Sequence, residues 1–233
     1  MDDIESLDLS KRPFTVTSSG GDRFISQTVI IATGAVARRL PLESEKKLWG
    51  KGVSACAVCD GALPVFRNKE LAVIGGGDTA VEEALHLTQF GSKVFLIHRR
   101  DELRASKIMQ KRAQEHPKLE IIWNKVVKEF VGETMLQSLV LTDTKTGEIS
   151  TVNVSGAFEA IGHEPNTAFL NGQVKTTDNG YIACQAGTTK TSVDGVFAAG
   201  DVCDSKYRQA ITAAGSGCMA AIEVERWLAE EGV

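Results

Sequence analysis

Residues 71–74, Leu-Ala-Val-Ile, form a short run in which every side chain is apolar. A strand with one wet face would alternate, so an unbroken run of this length predicts a strand buried on both faces. Gly75-Gly76-Gly77 ends it. Residues 78–90 then place Ala80, Ala84 and Leu87 at helical spacing, with Gly91 where a helix C-cap belongs. A second buried run at residues 94–97 precedes a helical stretch at 103–115, which Pro117 stops, and a third strand is expected at 119–123. Strand, helix, strand, helix, strand implies a parallel sheet with right-handed crossovers, hence an α/β fold.

The flanks read differently. Residues 2–32 suggest short strands joined by turns such as Ser18-Ser19-Gly20-Gly21, ending in a β-branched run before Thr33-Gly34. Residues 38–52 look like a connector punctuated by Pro41 and Gly50. From 126 to 161 the pattern is strands only, with Thr144-Lys145-Thr146-Gly147 as a hairpin loop, so a β-meander covering one face of the sheet is expected. A strand at 196–199 leads into Gly200-Asp201. A last helix at about 209–230 offers Ile211, Ala214, Met219, Ile222 and Trp227 to a core.

A length of 233 residues allows one large domain or two small ones. The net charge of -4 disfavours nucleic acid or an anionic membrane as main partner, since both need a basic surface. No apolar run approaches the roughly 18 residues of a membrane span. The opening Met1-Asp2-Asp3-Ile4-Glu5 is acidic and resembles neither a secretory signal nor an Arg-rich transit peptide. Five cysteines, an odd number, fit functional thiols in a reducing compartment better than a disulfide-stapled secreted fold.

Three motifs carry chemistry. Cys56-Ala57-Val58-Cys59 spaces two thiols so that they can close and reopen a small disulfide ring, and this spacing tends to lower one thiol's pKa. Half of a zinc site and inert cysteines are the other readings. Zinc needs two more ligands, and Cys184, Cys203 and Cys218 form no second close pair in sequence, so no metal is expected. Those three are read as structural thiols. Asp60 is either the acid that protonates a departing thiolate or a helix cap. Gly75-Gly76-Gly77-Asp78-Thr79-Ala80 matches the dinucleotide fingerprint G-x-G-x-x-G/A after a strand and before a helix. Gly75 suits a tight turn, Gly77 a close pyrophosphate, and Ala80 close helix–strand packing. Where an NAD site has an acidic residue, this chain has His98, Arg99 and Arg100, with Arg104 a turn later. That set suits a 2′-phosphate, so NADPH is expected rather than NADH.

Taken together, these motifs resemble the low-molecular-weight NADPH-dependent thioredoxin reductases of bacterial and plant type. The resemblance extends through Ala160-Ile161-Gly162-His163-Glu164-Pro165-Asn166, residues 195–202, and Tyr207-Arg208-Gln209-Ala210-Ile211-Thr212-Ala213-Ala214-Gly215. It covers essentially the whole chain. It implies two Rossmann-like domains of the pyridine nucleotide-disulfide oxidoreductase class. The FAD domain is formed by residues 1–40 and 162–233, and the NADPH domain, with the cysteine pair, by residues 41–161.

It further implies that Cys56 and Cys59 are the redox disulfide, Cys59 facing the flavin and Cys56 exchanging with thioredoxin, with Asp60 as acid–base residue. Gly75, Gly77, Asp78, Thr79, Ala80, His98, Arg99, Arg100, Arg104, Ile161 and Tyr181 are then expected at NADPH. Thr33, Gly34, Asp201, Arg208, Gln209 and Ala210 are expected at FAD. Electrons would pass from NADPH to FAD, to the disulfide and to thioredoxin, in a homodimer of the cytoplasm, or of the mitochondrion where a transit peptide precedes the chain. His163 is not assigned to catalysis. Family chains also open with a strand, a further glycine fingerprint and an acidic residue for the FAD ribose. This sequence has one fingerprint, in the NADPH domain, so an incomplete FAD domain that retains little flavin is expected. The alternatives are a flavin-free NADPH-binding fragment, and a related reductase serving a peroxiredoxin or a glutaredoxin-like partner.

Overall fold

A computed structural model describes residues 2–232. The chain divides into two compact units, one of Met1–Val36 with His163–Val233, the other of Ala37–Gly162. The first unit begins with an antiparallel sheet of β1 (Ile4–Asp8), β2 (Phe14–Ser18) and β3 (Arg23–Ser26), followed by β4 (Val29–Ile31) and β5 (Ala35–Ala37).

The second unit holds α1 (Glu43–Leu48), β6 (Val53–Ser54), α2 (Ala57–Asp60), β7 (Glu70–Gly75), α3 (Asp78–Leu87), β8 (Lys93–Ile97), α4 (Lys107–Glu115) and β9 (Leu119–Ile122). The strands β10 (Lys125–Val131), β11 (Ser138–Asp143), β12 (Ile149–Asn153) and β13 (Gly156–Ala160) follow. Its main sheet is parallel throughout, in the order β6-β13-β7-β8-β9.

The apolar run of β7 serves two cores. Because side chains alternate across a strand, Leu71 and Val73 join Val94, Leu96 and Phe158 on the face covered by α3 and α4. Ala72 and Ile74 join Phe95, Ile97 and Ala157 on the opposite face, under α1 and the antiparallel β10-β11-β12 meander. This two-sided burial is why the run carries no polar residue.

Three expectations need correction here. The stretch at 38–52 is not only connector, since it contains α1, whose Leu48 is buried. Residues 156–160 leave the meander and enter the parallel sheet as β13, between β6 and β7. The helix expected from residue 103 begins at Lys107. Residues 104 and 105 are taken up by hydrogen bonds to the glycine turn, so the helix cannot start earlier.

The chain re-enters the first unit through β14 (His163–Pro165), which pairs with β5; β15 (Val196–Ala198) pairs in parallel with β4, and α5 (Ala210–Glu231) closes the chain. Helix α5 was expected to bury Ile211, Ala214, Met219, Ile222 and Trp227. Of these only Trp227 is buried, packed with Ala220, Phe197 and Ala199. The other four are exposed, because a two-stranded β4-β15 sheet is too narrow to cover a second stripe of a 22-residue helix.

Two truncations check this partition of buried and exposed surface. Leu96→Ala, at a fully buried site of the parallel sheet, is expected to cost about 2–5 kcal/mol in urea unfolding. Ile211→Ala, at a side chain 80% exposed, is expected to change stability by no more than about 0.5 kcal/mol. Equal losses at the two sites would show that the outer face of α5 is covered in solution.

Candidate functional site

Cys56 and Cys59 are joined as a disulfide with their Cα atoms 5.3 Å apart. They flank the first turn of α2, and the Cys59 N–H donates to Cys56 Sγ at 3.2 Å. Ser54 fixes the surroundings: its Oγ accepts the Cys56 N–H at 3.1 Å and its hydroxyl donates to Asp60 Oδ2 at 2.6 Å. Asp60 is therefore a held carboxyl on the last residue of α2, next to Cys59. Cys56 is half-buried, while Cys59 and the intervening Val58 are exposed.

The glycine turn joins β7 to α3. A side chain at Gly75 would place its Cβ 2.5 Å from the Ala160 carbonyl and 2.7 Å from Ala80, and one at Gly76 would overlap the His98 ring. Gly77 differs, since nothing lies within 4 Å of its would-be Cβ. Two glycines thus permit close packing, and the third leaves open space at the start of α3, where backbone N–H groups suit a phosphate. Beside this turn lies a cleft of about 370 Å³ lined by Gly75, Gly76, Arg99, Arg100, Arg104 and Ile161.

Backbone bonds tie the arginine loop to the turn. Gly76 O accepts from the Arg104 N–H at 2.7 Å and the Ala105 N–H at 3.1 Å. Asp78 Oδ1 accepts from the backbone N–H and hydroxyl of Ser106, at 2.8 and 2.9 Å. That carboxylate, expected at the nucleotide, holds the start of α4. His98, expected among the phosphate donors, also lines this cleft, with both ring nitrogens near backbone carbonyls. It is 6% exposed, with Nδ1 2.9 Å from Gly75 O and Nε2 3.0 Å from Glu102 O. The acidic neighbours Asp101 and Glu102 pair with Lys145 and Lys107, and the hydrogen bond from Lys145 pulls the Asp101 carboxyl below its usual range. Among the described residues, no carboxylate pairs with Arg99, Arg100 or Arg104. The arrangement presents three free guanidinium groups beside an open glycine turn, a donor set suited to a phosphate ester.

The residues expected at FAD lie in the first unit. Thr33 and Gly34 are locked to Asn166: Thr33 Oγ1 donates to Asn166 O at 2.7 Å, Asn166 Nδ2 to Thr33 O at 2.8 Å, and the Asn166 N–H to Gly34 O at 3.0 Å. Asp201 Oδ1 is buried without a hydrogen-bond partner. An orphaned carboxylate oxygen of this kind fits a hydroxyl-bearing ligand. Arg208 has a left-handed backbone at φ 49°, and Gln209 and Ala210 follow it into α5. Tyr181, expected at NADPH, belongs to this unit, is 4% exposed and is not among the residues lining the cleft beside the glycine turn.

The family model for pyridine nucleotide-disulphide oxidoreductases matches residues 2–217. Thioredoxin reductase of Dictyostelium discoideum is 54% identical over 97% of this chain and 71% of its own length. The chain belongs to the thioredoxin reductase family. Thioredoxin reductase 2 of Arabidopsis thaliana is 54% identical over 98% of this chain, which spans 61% of that relative. A solved thioredoxin reductase from Giardia duodenalis superposes with a TM-score of 0.91 at 45% identity, covering 98% of this chain and 74% of that one.

Within this member of the thioredoxin reductase family, two residues matter that the motifs did not reveal. Asp204 organises the loop before α5, accepting the N–H groups of Lys206, Tyr207 and Arg208 at 2.9, 2.9 and 3.0 Å. Burial pushes its pKa up, but these bonds outweigh burial and leave it lowered. An Asp opening a short polar segment is a turn signal that was available in the sequence. Glu159 gave no such signal. It sits on β13, 1% exposed, with Oε2 accepting the Leu40 N–H at 3.2 Å and Oε1 unpartnered. Burial first, and then the nearby Glu45 charge, raise its pKa to about 7, against the pull of the Leu40 N–H and Arg39. Arg39 is already committed, bonded to buried Glu45 at 2.5 Å and stacked 3.9 Å over Trp49. Leu40, which Glu159 holds, lines the cleft.

This carboxyl sets a pH dependence. The folded chain keeps the Glu159 proton up to a pH of about 7, whereas the unfolded chain releases it near 4.5. Stability therefore falls as pH rises from about 4.5 through about 7 and is flat above. Glu159→Gln is expected to be more stable than the parent by about 1–3 kcal/mol at alkaline pH, with the gap closing in acid. Urea unfolding at both extremes measures it, and an offset independent of pH would exclude the buried proton as cause.

Proposed function

We propose that this chain carries out NADPH-dependent reduction of thioredoxin disulfide. One observation carries the reading: a single compact unit holds both a C-x-x-C disulfide and a glycine-turn cleft fringed by three unpaired arginines. Gly77 and the start of α3 would take the pyrophosphate of NADPH, and Arg99, Arg100 and Arg104 its 2′-phosphate. Thr33, Gly34, Asp201 and the Arg208–Ala210 segment would hold FAD in the other unit, the orphaned Asp201 oxygen meeting a hydroxyl. When bound, the two cofactors supply the electron pair that opens the Cys56–Cys59 disulfide.

The residues of this chain then handle sulfur and protons. The Cys59 N–H stabilises negative charge on Cys56 Sγ, which favours Cys56 as the sulfur that attacks the disulfide of thioredoxin. That attack forms a mixed disulfide and releases one thioredoxin thiolate, to which Asp60 is placed to give a proton. Cys59 then attacks Cys56 Sγ, restores the internal disulfide and releases the second thiol. Val58, Leu63 and Val65 lie exposed near the pair and offer an apolar surface for a protein substrate. By family the working form is a homodimer, in the cytoplasm or mitochondrion; no described helix is long and apolar enough to cross a membrane.

A second reading, an NADPH-binding chain without retained flavin, is favoured by the two-stranded β4-β15 sheet of the first unit. Visible absorbance after incubation with FAD and gel filtration separates the two. A flavin band bleached by NADPH supports the reductase, and a colourless protein that binds NADPH supports the second reading.

The nucleotide assignment has its own test. Arg99→Ala with Arg100→Ala is expected to weaken NADPH binding roughly 10- to 100-fold, the equivalent of one charge-assisted hydrogen bond or more, and to leave NADH binding nearly unchanged. Fluorescence titration reads both constants. Equal losses for the two nucleotides would remove the 2′-phosphate role.

A further inference from the structure

Cys184 and Cys203 are 19 positions apart in sequence and were read as separate structural thiols, yet the fold brings them together. The Ile182 N–H donates to Val202 O at 3.0 Å, so the segments carrying the two cysteines run side by side. Both side chains pack against one apolar core, with Leu170, Val174, Ile182 and Val202. Cys184 Sγ lies 4.0 Å from Ala198 O, and Cys203 Sγ 3.3 Å from Gly200 O. The two thiols are neighbours in this core, close enough that each shifts the titration of the other. Both are half-buried, so a small molecule can reach them while a protein surface cannot easily do so.

We propose that Cys184 and Cys203 are a second redox pair, which closes to a disulfide on reaction with a peroxide and reopens with a dithiol. Their surroundings make the two thiols unequal. Contact with Cys203 lowers the pKa of Cys184, against burial and the charge of Glu223. Cys203 is raised by its contact with Cys184, by burial, and by the charges of Cys184 and Asp204. Cys184 is thus the attacking sulfur and Cys203 the resolving one.

The Cys184 thiolate attacks one peroxide oxygen, the O–O bond breaks, and one water leaves after protonation, with sulfenic acid on Cys184. The Cys203 thiol then displaces that hydroxyl as a second water, forming the S–S bond. Two thiols and one peroxide give one disulfide and two waters, so electrons balance. Exchange with a dithiol reverses the bond and leaves the dithiol oxidised. The link would clamp the chain between Asp201 and the Asp204-organised loop to the segment around Cys184.

The test uses the whole chain with Cys56→Ser and Cys59→Ser, which removes the first pair and leaves three thiols. The protein is reduced with dithiothreitol, freed of it, treated with hydrogen peroxide, alkylated and digested without reductant. The expected product is a linked pair of peptides carrying residues 184 and 203, two hydrogens lighter than their sum and separated again by dithiothreitol. The same mapping on the parent chain guards against a folding defect in the variant. In Cys203→Ser the oxidation is expected to stop at a sulfenic acid on Cys184, trapped by a dimedone-type reagent; in Cys218→Ser the link should form as before. Alkylation of both cysteines after peroxide, or sulfinic acid on Cys184 with no linked peptide in the parent chain, would overturn the proposal.

Discussion

The Gly76 carbonyl accepts two backbone N–H groups, those of Arg104 and Ala105, and the His98 ring bridges the carbonyls of Gly75 and Glu102. Most of the second unit's chemistry depends on this knot. It forces the segment after β8 to stay a loop until Lys107, and it keeps three arginines beside the glycine turn. It also explains why Gly76 must lack a side chain, since the imidazole occupies the space that a Cβ would need. A guanidinium is worth most to a phosphate when its backbone is already fixed, because less freedom is lost on binding.

The knot in turn rests on the two-sided sheet. β7 and β8 give alternate side chains to cores on opposite faces, so their ends cannot slip by one residue without exchanging both faces at once. β13 lies beside β7 and carries Glu159, whose buried carboxyl reaches across to the Leu40 backbone. A titrating group with an unpaired oxygen is a costly way to hold a chain. It ties the wall of the cleft to protonation, a property that an apolar residue at 159 would not confer.

The first unit shows a different economy. Its core is smaller, its β4-β15 sheet has two strands, and one stripe of α5 packs while the other is bare. Its polar side chains are arranged locally, by Asn166 on the Thr33-Gly34 turn and by Asp204 on the loop before α5. Asp201, with its orphaned oxygen, and Cys203 both lie next to that loop in sequence. A loop held by a few hydrogen bonds, beside a thiol pair, is sensitive to a single covalent link.

Several features were set by local pattern alone. The unbroken apolar run of β7, the three glycines and the helix after them specify a strand–turn–helix unit whatever surrounds it, because spacing and backbone freedom decide it. The Cys56–Cys59 pair is likewise local: two residues of separation bring the sulfurs within reach of each other. Tertiary structure decided what depends on distant neighbours. His98 and Asp78 took up structural bonds that spacing alone does not show, His98 with the carbonyls of Gly75 and Glu102 and Asp78 with Ser106. Residues 156–160 joined the parallel sheet because a gap between β6 and β7 was theirs to fill. The pKa of Glu159, the exposed stripe of α5 and the meeting of Cys184 with Cys203 follow from burial and long-range contact, which a one-dimensional pattern does not encode.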